Sequence, residues 1–439
     1  MKINNLNRRE SLKALVASGA LSATCLSNLS FGAQNSSAGS AVGSSLGSNV
    51  GSNMGSGALI VVFLRGGADS LHMAAPVDNQ HYLSARPPDL RILDNGQTPG
   101  IRLPNSFSPK EDCRLHPSAA PLLDLLQSGH AGLLHACGLS YATRSHFEAQ
   151  ELLDAAVNAH LETQNGATAV NGSSQSSTKI LSSTPGWLTP YAQKIKPNTH
   201  EITTLSTTPT LSRSLQGLPS SLVLGGDLRG SLNLPGDAVG RQVLEAMYGM
   251  DNNTNDPAVL MGKNTLTQFA LLESKAPKAD GRIAPYAPLK DVKYNTENYE
   301  WSQATQTVAQ LVRMDVGLRV ACLDFGGWDT HEYQGGRINN LIRQWSGNIR
   351  ALFDDLKAAD KDATIVVLSE FGRRIRANNS NGTDHGHAGI VWCLDTRKRK
   401  LLPDTIWPGM AIEQMDQGLD LASTTDVKKV LNHIALQTV

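Results

Sequence analysis

The chain lacks a surplus of either charge: Lys+Arg number 39 and Asp+Glu 39, for a formal net charge of +0. A nucleic-acid or anionic-membrane partner requires a basic footprint, and none is present. Aromatic residues are sparse as well, at 5%. No internal repeat is visible, which sets aside solenoids and propellers. Long apolar runs are missing too. The stretch from Ala14 to Leu29 is apolar but Ser-rich, and at roughly fifteen residues it falls short of the about twenty that a membrane span needs. Cysteines are few. Beside Cys25 there are Cys113, Cys137, Cys322 and Cys393, which allow three pairings or none. Cys322 and Cys393 fall inside apolar strand patterns, so these two are expected as buried thiols.

What is present begins at the amino terminus. Asn7-Arg8-Arg9-Glu10-Ser11-Leu12-Lys13 precedes the apolar run, a basic head followed by an h-region, and paired Arg before Leu-Lys points to a twin-arginine signal. Residues 1–33 are therefore expected to be a bacterial signal peptide, cleaved near Ala33. The twin-arginine export machinery would then deliver the folded chain to the periplasm or the exterior, with no membrane span left after cleavage. Residues 34–57 are almost entirely Gly, Ser, Ala and Asn and read as a flexible linker that cannot bury enough apolar surface to fold. From 58 to 439 the composition is globular, enough for one large α/β domain. Within it the polar segment 162–183 reads as a mobile surface insertion.

Ala58 to Leu64 is a continuous apolar run, the pattern of a strand buried on both faces of a parallel sheet. A helical pattern from Pro117 to Ser128 leads to a strand at Ala131 to Ala136. Ser221 to Leu224 predicts another strand, and Ala238–Met247, Pro257–Ser274 and Thr296–Met314 carry helical spacing. The last third is clearer. A strand at Leu318–Leu323 precedes an amphipathic helix with Leu341, Ile342, Trp345, Ile349, Leu352, Phe353 and Leu356 on its apolar face, and strands follow at Ala363–Leu368 and Ile390–Leu394. This alternation predicts a mostly parallel sheet with helices on both faces.

In such sheets ligands bind beyond the carboxyl ends of the strands. Arg65, Asp69 and His72 follow the first strand, Thr143-Arg144-Ser145-His146 the second, Gly326-Gly327-Trp328-Asp329-Thr330-His331 the third, and Ser369-Glu370-Phe371-Gly372-Arg373 the fourth. Gly382-Thr383-Asp384-His385-Gly386-His387 comes shortly after. Asp, Glu and His in Gly-rich loops are oxygen and nitrogen donors suited to Zn²⁺ or Mn²⁺. Asp384, His385 and His387 are read either as metal or anion binders or as capping residues after an Asn381-Gly382 turn. Asp329 and His331 face one side of an extended segment. Trp328 before them either walls a pocket or packs in the core. Glu370 ends a buried strand and needs neutralising, by Arg373 or by a metal. Ser145 reads as a helix N-cap, with Glu148 completing a capping box, and equally as a hydroxyl held where a helix N-terminus gathers positive potential beside Arg144. His146 is a ligand, an acid or a satisfied polar residue.

Together, Val62-Phe63-Leu64-Arg65-Gly66-Gly67-Ala68-Asp69, Arg144-Ser145-His146-Phe147, Gly327-Trp328-Asp329-Thr330-His331, Ser369-Glu370-Phe371-Gly372-Arg373 and Gly382-Thr383-Asp384-His385-Gly386 resemble the exported bacterial family known as domain of unknown function 1501. The resemblance runs from about Leu59 to Leu394. That family stands near the alkaline phosphatases and sulfatases. The resemblance implies a three-layer α/β/α sandwich of alkaline-phosphatase type, one or two divalent metal ions (Zn, Mn, Ca or Mg) and a Ser or Thr nucleophile at the strand ends. Two positions depart from the superfamily pattern. Its Asp ligand at the end of the first strand is Arg65 here, with Asp69 following, and its late Asp-His-Gly is Glu370-Phe371-Gly372, with Asp384-His385-Gly386 coming afterwards.

Two functions are expected from these residues. The first is an exported metal-dependent hydrolase of phosphate or sulfate esters, with a small-molecule or polymeric anionic ester as substrate. Asp329, His331, Asp384 and His385 would be metal ligands, joined by Glu370, His387 and Asp69. Ser145 would be the nucleophile, and Arg144 or Arg65 would stabilise charge on the ester oxygens. The second is a non-catalytic cell-surface or assembly protein that keeps the fold as a scaffold and offers 162–183 to a partner. A hydrolase requires the five loops to converge, whereas a scaffold leaves them scattered.

Overall fold

The run that opens the folded region is the spine of a sheet. Strand β1 (Ala58–Leu64) is buried at every position. Its alternation sends Ile60, Val62 and Leu64 into one apolar core and Leu59, Val61 and Phe63 into a second on the opposite face. The computed structural model describes residues 57–108, 110–156, 184–195, 201–234, 237–249, 255–289, 291–402, 407, 409–411 and 415–439. The expected signal peptide at 1–33, the linker at 34–57 except its last residue, and the insertion at 162–183 lie outside the described residues.

Seven more strands join β1: β2 (Ala131–Gly138), β3 (Thr204–Ser206), β4 (Leu222–Val223), β5 (Val320–Phe325), β6 (Ala363–Leu368), β7 (Gly389–Asp395) and β8 (Thr425–Asp426). They form one 8-stranded sheet in the order β8-β2-β7-β6-β1-β5-β3-β4. Every adjacent pair is parallel except the two that involve β7. No helical crossover precedes β7. Between β6 and β7 the chain makes only a hairpin of Arg373–Ala377 and Thr383–His385, and so re-enters the sheet at the edge it left.

On the second core pack helix α1 (His146–Asp154), through Ala149, Leu152 and Leu153, and residues of the carboxy-terminal helix described below. Helices α2 (Tyr299–Arg313) and α3 (Gln334–Ala358) cover the first core with Trp301, Val308 and Leu311 and with Ile338, Ile342, Trp345, Ile349 and Leu352. Each fully buried Leu or Ile contributes about 1.5–3 kcal/mol. Helix α4 (Val427–Thr438), which the sequence reading above did not anticipate, starts at an Asp426 cap and buries Val427, Val430, Leu431 and Ile434 against the second core. The chain is thus a mixed α/β protein on a large, mostly parallel sheet. Cys113, Cys137, Cys322 and Cys393 are all buried and free. No helix among the described residues is long and apolar enough to cross a membrane.

Topology decides where chemistry can gather. β1 is parallel to β5 and β6, with Leu64 opposite Phe325 and Phe63 opposite Leu368. β7 runs against both β6 and β2, and its first residue, Gly389, lies opposite Cys137 near the end of β2. The segments after β1, β2, β5 and β6 and the one before β7 therefore leave from a single sheet edge.

Candidate functional site

Arg373 ties these segments together. Its side chain is fully buried, and its Nε donates to the Gly67 carbonyl at 2.8 Å, Nη1 to Thr383 at 2.7 Å and Nη2 to Gly66 and Trp328. The same Nη2 pairs with Asp329 Oδ1. One cation thus joins the segments after β1 and β5 to the hairpin. Two glycines permit the approach: Gly66, at φ +121°, would place a Cβ 2.3 Å from the Asp329 nitrogen, and a Cβ on Gly382 would lie 2.2 Å from the His331 carbonyl.

Around Asp329 stand three imidazoles. Nδ1 of His146 lies 2.8 Å from Glu370 Oε1, Nδ1 of His385 2.7 Å from the Arg144 carbonyl, and Nδ1 of His331 3.3 Å from Asp384 Oδ1. A carbonyl or carboxylate oxygen can only accept, so each Nδ1 is placed to donate, and a ring whose single proton sits there presents its lone pair at Nε2. Those three Nε2 atoms converge on one carboxylate. His146 Nε2 is 3.4 Å from Asp329 Oδ2, while His331 Nε2 and His385 Nε2 are 3.0 and 3.2 Å from Oδ1 and 2.8 Å from each other. Ligand atoms of His146, Asp329 and His385 all fall within 4.8 Å of one another, the only such group of three found among the described residues. His146 Nε2 is buried without a hydrogen-bond partner. Beneath the rings lies Phe371, with centroids 4.9 Å from His146 and 4.8 Å from His385.

Charge is concentrated here. Burial raises the Asp329 pKa, but the hydrogen bond and charge of Arg373 do most to outweigh that and bring it down to about 2. Its side chain is nonetheless 47% exposed, so the cluster opens to solvent. The bond to Glu370 holds His146 above the usual imidazole range, and burial pushes His385 below it. Asn378 donates to Asp384 Oδ1 at 3.1 Å and holds that carboxyl low.

Asp329, His331, His385 and His146 therefore meet, with Asp384 reaching the group through His331. The other expected ligands face elsewhere. Asp69 is fully buried in an ion pair with Arg86 at 2.8 Å and accepts from Gln334 at 2.6 Å. Arg373 does not reach Glu370. It accepts from Gly66 N at 2.9 Å, His146 Nδ1 at 2.8 Å and Gln150 Nε2 at 2.7 Å, and so fixes the orientation of the His146 ring. His387 Nε2 faces the Leu139 carbonyl at 3.0 Å, and His72 is buried beside Asn339.

The expected cations are also committed. Arg65 pairs with Asp154 and Asp324, each at 3.1 Å, and Arg144 with Asp416 and Asp420 at 3.0 and 3.1 Å. Ser145 caps α1, accepting from Glu148 N at 3.5 Å, and is exposed. The reciprocal half of the capping box is absent: Glu148 accepts from Thr143 Oγ1 at 2.6 Å, and Ser145 N donates to that hydroxyl. Trp328 is core, fully buried beside Phe325. At the hairpin Asn381 takes the left-handed conformation of a turn, and His385 enters the cluster. Asn378, Gln150 and Phe371 were not foreseen as site residues. Only Phe371 had a local signal, its place between Glu370 and Arg373.

All five segments with this geometry lie within residues 56–394, the span matched by the family model described as Protein of unknown function (DUF1501). The chain belongs to that family. No curated protein and no solved structure matches it. The family match ends inside β7, so α4 and the strands at 415–426 lie beyond it.

Proposed function

We propose that this DUF1501 protein is an exported, divalent-metal-dependent hydrolase of phosphate or sulfate esters, built as an alkaline-phosphatase-like three-layer sandwich. His146, Asp329, His331 and His385 are its metal-binding group. One observation carries the reading: three imidazoles, each with Nδ1 committed to an acceptor, aim Nε2 at the same carboxylate. Metal-bound histidines characteristically donate their second ring nitrogen in this way. The spacing fits as well. Ligands about 2.0–2.1 Å from a tetrahedral ion are separated by about 3.3 Å, against 3.4, 3.2 and 3.0 Å from the imidazoles to Asp329 and a closer 2.8 Å between His331 and His385. Zn²⁺ or Mn²⁺ suits such nitrogen and oxygen donors.

A bound divalent cation supplies Lewis acidity, lowering the pKa of a hydroxyl or water and neutralising ester oxygens. The protein's own groups prepare the rest. Arg373 keeps Asp329 ionised, Glu370 and Gln150 hold His146 in place, and Phe371 excludes water from below the rings. Ser145 offers an exposed hydroxyl one residue before His146, at the N-terminus of α1, where free N–H groups favour an anion. Arg65 and Arg144, each shared between two carboxylates, are not assigned to the ester oxygens. Export rests on the Arg8-Arg9 signal and matches a cluster that is metallated in the cytoplasm before the folded chain crosses.

The reading is tested by metal analysis of purified wild-type and His385→Ala protein, with a panel of phosphate and sulfate esters. Bound metal in the wild type, lost in the variant, and turnover abolished by Ser145→Ala are expected. Metal in neither protein refutes it. A second reading, a non-catalytic surface or assembly scaffold, is favoured by the internal pairing of Asp69, Glu370, Arg65 and Arg144. Ester turnover that depends on Ser145 excludes that alternative.

A further inference from the structure

Residues 415–428 lie beyond the family match, yet they grip the segment carrying Ser145 and His146 at three places. β8 pairs with the end of β2, Thr425 opposite Cys137 and Asp426 opposite Gly138, just before the site segment begins. Next, Arg144 Nη2 donates to Asp416 Oδ2 at 3.0 Å and to Asp420 Oδ1 at 3.1 Å, from a short antiparallel pair formed by Met415–Asp416 and Asp420–Leu421. At the far end of α1, Lys428 Nζ donates to the carbonyls of Leu152 and Ala155 at 2.8 and 3.0 Å, which a helix C-terminus leaves without intrahelical partners.

The middle grip leads to the cluster. The Arg144 carbonyl is the acceptor that puts the proton of His385 on Nδ1, and His146 follows two residues later. Where that carbonyl sits depends on where its guanidinium is anchored. The anchor is firm: Asp420 is fully buried, and bonds between ions of opposite charge are the stronger kind. The same short pair also docks on the hairpin and on the start of β7, through Ile375 N to the Leu419 carbonyl at 3.0 Å and Ala388 N to the Leu421 carbonyl at 3.2 Å. It therefore references the segment after β2 and the hairpin to one another.

We infer that residues 415–428 form a strap that assembles the cluster, with Asp416, Asp420 and Arg144 as positioning residues whose task is to hold His385 in its Nδ1–H form. The purpose rests on the metal-binding reading, but the geometry is testable without metal. In full-length protein stripped with a chelator and labelled with ¹⁵N-histidine, wild-type His385 is expected to carry its proton on Nδ1. Asp420→Asn is expected to give a mixture of tautomers at His385. Val430→Ala, which loosens the packing of α4 without touching Arg144, should keep the wild-type signal. An unchanged His385 in Asp420→Asn, or an equal loss in Val430→Ala, overturns the strap. Should Asp420→Asn fail to fold, Asp416→Asn, at the more exposed partner, should move the signal in the same direction, and no movement there overturns the strap too. A second arm measures Zn²⁺ affinity, where Asp420→Asn is expected to lose about 10- to 100-fold. Equal affinities refute the positioning role, whereas wild-type protein that binds no Zn²⁺ refutes the metal reading and leaves the tautomer to decide the strap.

Discussion

Replacing Glu370 by Gln tests the electrostatic frame of the site in one step. The carboxylate is buried and accepts from Gly66 N, His146 Nδ1, Gln150 Nε2 and Ser369 Oγ, at 2.9, 2.8, 2.7 and 2.9 Å. Burial raises its pKa, yet the bonds from His146, Gln150 and backbone N–H groups outweigh that and take it from 4.5 to about 2. At about 1.36 kcal/mol per pH unit this is worth about 3 kcal/mol, an upper bound because the rise at His146 reports the same pair from its other side. The folded pKa lies below the unfolded one, so the stabilisation is complete well above pH 4.5 and is lost as pH falls towards 2. Gln keeps the shape but turns one acceptor into a donor among donors. Urea unfolding in the presence of a chelator should find Glu370→Gln less stable by about 2–3 kcal/mol at pH 7 and by about half that at pH 3. Equal midpoints at pH 7, or a gap that does not narrow with acid, would refute the reasoning.

Two further outcomes follow from groups outside the cluster. Arg86→Met strands the buried Asp69 carboxylate, and urea unfolding should register a loss of about 3–5 kcal/mol while metal content per folded chain stays at the wild-type level; a change in metal content would place Asp69 in the site after all. Cys113 and Cys137 are buried thiols pushed up to about 12, and Cys322 and Cys393 are raised as well. None of the four should react with a thiol-specific chromogenic disulfide in the native protein, and all four should react in urea.

Much of the framework was legible because it is encoded locally. β1 and β6 match the expected Ala58–Leu64 and Ala363–Leu368, and α3 buries Ile342, Trp345, Ile349, Leu352, Phe353 and Leu356 as its spacing required. α4 carries the same kind of signal, an Asp426 cap followed by Val427, Val430, Leu431 and Ile434, and was readable in principle. β3 was not. Thr204 and Ser206 are polar, and they become strand through pairing with Val320 and Cys322 more than one hundred residues away.

The sequence by itself determined which residue types stand at the strand ends, because strand and helix periods are written within a few neighbouring positions. It also placed Asp329, His331 and His385 among the ligand candidates. The division of labour among the charged groups was decided only by tertiary structure. Glu370 and His146, 224 residues apart, become partners through one hydrogen bond that orients the imidazole. Arg65, Arg144 and Asp69 are spent on partners that local pattern does not name. Arg373 rather than either expected Arg supplies the charge beside Asp329. Hydrogen bonds and ion pairs act over a few ångströms, so residue type can mark a candidate, but only the folded chain determines which partner lies within that reach.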